Sequence, residues 1–162
     1  MIREFLPTES PVLRKIAEEV TDFSENLKEL TDDMFETLRA GRGVGLAAPQ
    51  IGISLRIIVF ELDGGDSASG EPPIPPTILI NPVISGMNGD LVDGVEGCFS
   101  VPGYIGTVPR YSEITYLAQD LEGRVLKESA AGLRARIIQH EIDHLNGVLY
   151  VDRASEVKPY ER

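Results

Sequence analysis

The chain is poor in the residues that bind soft metals or form disulfides. It has one cysteine, Cys98, and two histidines, His140 and His144. A single cysteine excludes an intrachain disulfide and gives no sign of an oxidising compartment. Positive charge is also scarce: 15 Lys and Arg stand against 26 Asp and Glu, a formal net charge of −11 at pH 7. Nucleic acids and anionic membranes are held through a basic face, so neither is expected as a partner, a local basic patch aside. No run of about 18 consecutive apolar residues occurs. The opening stretch, MIREFLPTESPVLRKIAEEV, has no apolar core of the kind a secretory signal carries. A soluble, cytoplasmic protein is the expectation, and an organelle stroma or matrix fits the same observations. There is no internal repeat and no low-complexity block. With 162 residues, 42% of them hydrophobic, the chain can bury one ordinary core. One domain over 1–162 is expected.

The scarce residues are not scattered. LRARIIQHEIDHLNG, residues 133–147, contains His140, Glu141 and His144 in the spacing H-E-x-x-H. No Pro or Gly interrupts Leu133 to Asn146, and Gly132 and Gly147 bracket the stretch, which predicts a helix. Residues four apart share a helix face, so both imidazoles can reach one cation. Glu141 sits about 100° round from His140 and can reach a water held by that cation. The competing reading is a chance match on an ordinary buried helix. Against it, both histidines of the chain lie in this one motif.

Cys98 would add a third soft or borderline ligand, and no fourth residue of that type exists. Four protein ligands close a structural zinc site, whereas three plus water make a catalytic one. A carboxylate in fourth place is an open alternative, and a lone buried cysteine commonly packs as a small hydrophobe. If the three do meet, the cation would acidify a water, and Glu141 would take its proton and pass it to a leaving amine.

Elsewhere, Ser10-Pro11 predicts a short helix to about Glu19, and Ser24 a cap for an amphipathic helix ending near Ala40-Gly41. The run Gly43 to Gly52 is rich in small residues and reads as a structural turn; Gln50, its lone polar side chain, is either exposed or aimed at something. Leu55 to Leu62 predicts a buried strand, Asp63 to Pro76 a loop, and Thr77–Ile80 with Val83–Ser85 a strand kinked at Asn81-Pro82. Met87 to Asp90 reads as a turn before a strand at Leu91–Val95. Further strands are expected at Ile105–Val108, Glu113–Asp120 (with one wetter face) and Arg124–Glu128. After the long helix, Val148 to Val151 suggests a short strand, followed by a polar tail to Arg162. Helices, then strands, then one long helix predict an α+β fold.

GVGLAAPQIG at 43–52, EGCFSVPG at 96–103 and QHEIDHLNG at 139–147 resemble, in this order, the three signature motifs of the peptide deformylases. The resemblance spans nearly the whole chain. It implies antiparallel or mixed β-sheets packed around a central metal-binding helix, and a metal-dependent hydrolase that removes the formyl group from the N-terminal formylmethionine of newly made polypeptides. By position in the motifs, Cys98, His140 and His144 would bind the metal and Glu141 would be general base and acid. Gln50 and the backbone N–H of Phe99 would stabilise the oxyanion. Backbone at Gly45 and Gly97 would pair with an extended substrate, and Val44, Leu133 and Ile137 would wall the methionine pocket. Leu133, Ile137, His140 and His144 would then share one stripe of the helix.

The family metal is usually Fe(II), with Zn, Ni or Co as substitutes, although ligand softness alone points first to zinc. Glu96 is the candidate acceptor for a ligand histidine's second ring nitrogen. Asp143 is expected to pair with Arg110, its alternative being solvent exposure. The chain departs from the common pattern at Phe99, where Leu is frequent, and at Arg136, where some members are apolar. Its tail after Leu149 is short where many members carry a long helix that in some docks on the ribosome. Formyl-Met nascent peptides are the expected partner; the ribosome near the exit tunnel stays open as a second one, although no long C-terminal docking helix is expected. Two other readings compete: a zincin-like metalloprotease, which needs a further ligand although no His follows His144, and a catalytically inactive metal-binding member of the fold. Intact Glu141 and Gln50 speak against the latter.

Overall fold

The structure, a computed structural model, describes residues 1–160. Helix α1 spans Glu25–Ala40 and α2 spans Gly132–Leu145. The strands are β1 (Gly45–Ala47), β2 (Ile57–Leu62), β3 (Ile74–Cys98), β4 (Val101–Gln119), β5 (Val125–Ala131) and β6 (Glu156–Pro159). Five of them form one sheet in the order β1-β2-β3-β4-β5, β6 pairs with β4, and every pairing is antiparallel. This is the α+β architecture expected. No helix among the described residues is long and apolar enough to cross a membrane.

β2 explains how one sheet serves two cores. Its residues Ile57, Ile58, Val59 and Phe60 are all fully buried. Successive strand side chains point to opposite faces, so a continuous apolar run marks a strand covered on both. Ile57 and Val59 pack with Met34 and Leu38 of α1, whereas Ile58 and Phe60 pack with Ile138 and Ile142 of α2. In β4 the alternation also holds: Ile114, Tyr116 and Ala118 are buried, and Leu117 on the other face is exposed. Strand β5 passes directly into α2 at Gly132, whose φ of 61° makes the bend that a side chain would strain.

Several local expectations are corrected. The helix expected from Pro11 is one 3₁₀ turn, Pro11–Arg14, and Glu18 bridges to Leu55 instead. Ser24 occupies the N-cap of α1 but makes no side-chain cap bond. The Gly43–Gly52 run is not merely a turn: it supplies β1 and a 3₁₀ turn, Ala48–Ile51. The Asp63–Pro76 loop ends earlier, because β3 begins at Ile74; a register shift between Phe60 and Leu62 accommodates Pro75 and Pro76. Met87–Asp90 is not a turn. The strand runs through it with a register shift between Asn88 and Leu91, where Gly89 has φ 101°. Gly, Asn and Asp serve bulges as readily as turns. Val148–Val151 forms no strand, since Tyr150–Asp152 is a 3₁₀ turn held by Leu149 N–H to Asp152 Oδ2 at 2.9 Å. The tail, read only as polar, contributes β6, with Tyr104 opposite Pro159; its last two residues lie outside the described residues.

Asn81, before Pro82, takes a left-handed conformation (φ 51°) that asparagine tolerates better than most residues. Its Oδ1 accepts from Val20 N–H at 2.8 Å, and its Nδ2 donates to Val20 O at 2.9 Å and Gln119 Oε1 at 2.8 Å. One side chain thus joins the N-terminal segment to β3 and β4. Asn81→Ala should lower stability by about 2 kcal/mol, because it orphans partly buried backbone groups. Urea unfolding measures it, and a loss under about 0.5 kcal/mol would show that the clasp contributes little.

Candidate metal centre

Helix α2 carries its histidines deep into the molecule. His140 is 7% exposed and His144 1%. The β3–β4 hairpin turn brings half-buried Cys98 to them, so that one ligand atom from each of the three residues lies within 4.8 Å of the others. The helix supplies two candidate ligands through its period; the hairpin supplies the third through sheet register. Both ring nitrogens of His144 are buried without a hydrogen-bond partner. Buried polar atoms of a native protein are almost always satisfied, so this orphaned pair points to a partner of another kind. Burial, with His140 beside it, holds His144 well below its ordinary pKa and keeps it neutral at pH 7, as a metal ligand must be. Burial acts to lower His140 too, but Cys98 and Glu96 outweigh it and push His140 up to about 10.

Behind the ligands runs a buried ion network. Glu96 Oε1 meets His140 Nδ1 at 2.7 Å. Arg110 donates to both oxygens of Glu96, at 2.8 and 2.9 Å, and to Asp143 Oδ2 at 2.6 Å. Arg153 closes the far end on Asp143 at 2.6 and 3.0 Å. Asp143 is buried, so solvent exposure is ruled out for it. Burial raises the Glu96 carboxyl, but Arg110 and His140 together outweigh that and hold it far below the usual carboxylate range. Arg136, absent from the expected network, adds a bond to Glu96 at 2.7 Å and donates to Val108 O and Val92 O. Its guanidinium lies against Gly94, where a Cβ would stand 2.5 Å from Cζ. Arg136 is therefore a packed and paired wall residue.

Glu141 is 4% exposed, and burial pushes its carboxyl up to about 7. Its Oε1 has no hydrogen-bond partner. A Cβ on Gly45 would come 2.5 Å from Glu141 Oε2, so glycine there lets β1 lie against the carboxylate. A cleft of about 580 Å³ opens over Cys98, His140 and Glu141. Val44, Gly45, Gly97, Leu133 and Ile137 all line it, as does Phe99, whose ring stacks on Phe5 at 4.3 Å between centroids.

Gln50 is placed differently. It is buried and does not line the cleft; Oε1 accepts from Ala47 N–H at 2.9 Å and Nε2 donates to Ser100 Oγ at 3.0 Å. It ties the segment after β1 to the turn after Cys98. Ser100, fully buried, and Phe5, Tyr104 and Tyr160, which line the cleft, were missed in the sequence. Ser100 sits inside the EGCFSVPG motif and could have been flagged. Tyr104 directly follows that motif, and Phe5 and Tyr160 come from remote segments with no pattern of their own.

Because Arg110 bridges two buried carboxylates, Arg110→Leu should destabilise the protein by about 3–5 kcal/mol. Glu96→Ala should weaken divalent-metal binding about 10–100-fold by freeing His140 Nδ1. Chelator competition checks the second, and an unchanged affinity would remove Glu96 from that role.

A family model described as polypeptide deformylase matches residues 2–160. A peptide deformylase of Dictyoglomus thermophilum is 47% identical over 156 residues, covering 96% of this chain and 95% of its own. Peptide deformylase 2 of Ralstonia nicotianae is 43% identical over 157 residues, covering 96% and 89%. Among solved structures, peptide deformylase from Thermotoga maritima superposes with a TM-score of 0.87 at 39% identity, covering 96% of this chain and 99% of that one. The Met-Ala-Ser-bound enzyme from Acinetobacter baumannii gives 0.89 at 33% identity, covering 94% and 98%. With its three motifs gathered at one cleft and a match of this extent, the chain belongs to the polypeptide deformylase family.

Proposed function

We propose that the whole chain forms one catalytic domain that hydrolyses the formamide of N-formylmethionyl peptides, releasing formate. One observation carries the reading: the ligand atoms of Cys98, His140 and His144 converge within 4.8 Å, and the Glu141 carboxyl faces the same cleft. The unpaired ring nitrogens of His144 and the neutral state of that ring fit a divalent cation. Such a cation, Fe(II) in our reading with Zn, Ni or Co as substitutes, supplies Lewis acidity to the formyl oxygen and to water.

The remaining chemistry falls to side chains and backbone. Glu141, with its carboxyl near neutrality, is suited to both halves of the proton transfer. It takes a proton as the water oxygen bonds to the formyl carbon. It returns that proton to the amine nitrogen as the C–N bond breaks, and formate leaves. Gln50 and the Phe99 N–H are the proposed oxyanion donors. Gln50 Nε2 has two hydrogens, and Ser100 takes one. Val44, Leu133 and Ile137 would receive the methionine side chain, and backbone at Gly45 and Gly97 would pair with the substrate as an added strand. The partner is then the formylated N-terminus of a nascent polypeptide, and the cytoplasm is the compartment we assign.

The metal-loaded protein should release formate from formyl-Met-Ala-Ser and no acetate from the acetyl analogue; silence toward both overturns the reading. Glu141→Ala should retain the metal while kcat falls about 10²–10⁴-fold. Loss of the metal from that variant would instead make Glu141 structural. Cys98→Ser should lower metal content after dialysis, and full retention would strike Cys98 from the ligand set.

A further inference from the structure

Helix α1 ends in a Schellman motif. Gly43 N–H bonds Leu38 O at 3.1 Å, Arg42 N–H bonds Arg39 O at 3.1 Å, and the residue in the left-handed conformation is Arg42, with φ 57°. That position favours glycine, and a non-glycine residue there is strained. The chain has glycine on both sides, Gly41 and Gly43, yet places arginine at the position glycine would suit. A strained residue retained at the rim of a cleft suggests a functional reason. Arg42 is exposed and lines the cleft over the metal ligands. It also lines a second hollow of about 740 Å³, and Gly43 and Val44 form the rest of the ridge between the two.

The charges around it set Arg42 apart. Arg136, the other arginine lining the cleft, is bound to Glu96. Arg39, in the second hollow, is bound to Glu61 at 2.6 and 3.0 Å. Among the described residues, Arg42 has no side-chain hydrogen bond and no ion pair. Asp63 also lines the second hollow, without an ion pair to Arg42.

The direction of the substrate brings it to Arg42. In β1, Leu46 and Ala47 are fully buried, while Val44 and Arg42, just before the strand, are exposed. A peptide whose first residue lies at Gly45, beside Glu141, and that runs antiparallel to β1 passes along this exposed side toward Gly43 and Arg42. At about 3.4 Å per residue, its third residue stands opposite the Arg42–Gly43 segment. We propose that Arg42 is a specificity residue that favours an acidic side chain at the third position of the formylated peptide. This rests on the deformylase reading above.

The test compares kcat/KM for C-terminally amidated formyl-Met-Ala-Xaa-Ala with Xaa as Glu, Ser or Lys; the amide removes a terminal carboxylate that would mimic the effect. Glutamate should exceed lysine about fivefold at low ionic strength, in keeping with one exposed ion pair and one exposed repulsion. The ratio should collapse toward one in about 1 M salt. Arg42→Glu should invert the order and leave the serine peptide within about twofold, while Arg42→Lys should keep the preference. A residue needed only to finish the helix would change all three peptides alike. Equal rates for the glutamate and lysine peptides in wild type overturn the proposal and leave the activity intact. Failure to deformylate the serine peptide would overturn the activity itself.

Discussion

Burying charge without water is the constraint the site has to satisfy, and the Glu96–Arg110–Asp143 network is how it does so. Glu96 sits near the end of β3, Arg110 in the middle of β4 and Asp143 near the end of α2. The network therefore joins the three elements that must hold register if Cys98 is to meet the histidines. Each carboxylate would be costly alone in this interior, and each is held by guanidinium groups in fixed geometry. Such pairing contributes little net stability over an apolar core. Its effect is to specify one arrangement, because any shift of the helix along the hairpin leaves charges unpaired. His140 hangs directly from this frame through Nδ1, which leaves its other nitrogen free to face Cys98.

Against this rigid back wall, the front of the cleft is shaped by small residues meeting large ones. Gly45 lets β1 touch the Glu141 carboxylate, and Gly41 and Gly43 make room for the Phe99 ring. Phe99 in turn is stacked on Phe5 from the N-terminal segment. The substitution that looked like a departure from the family pattern thus has partners that fill the space around it. The same burial that confines Glu141 raises its carboxyl to about 7. Packing and the raised carboxyl share one cause.

Much of this was readable in residues alone. The period of α2, the run of β2 and the alternation in β4 are local patterns with local causes, and the structure keeps them. Asp143 with Arg110 was a correct pairing across a long sequence separation, suggested by a charged residue on a mostly apolar helix. Reading failed where one residue set serves two geometries: Gly89 with its neighbours made a bulge inside β3 instead of a turn. It left the tail unassigned, where β6 forms because β4 offers an edge, not because EVKP favours a strand.

By itself the sequence named the candidate ligands and the candidate base, and it determined the placement of two histidines on one face, since a helix repeats every 3.6 residues whatever surrounds it. Tertiary structure decided the rest. Whether Cys98 reaches those histidines depends on the register of a hairpin and the angle at which α2 crosses it. How the Gln50 amide is oriented depends on Ser100, a neighbour fifty positions away. That Arg42 has no side-chain partner among the described residues follows from Arg39 and Arg136 having taken the nearby carboxylates. Distances between remote segments are set by packing, and no local pattern encodes them.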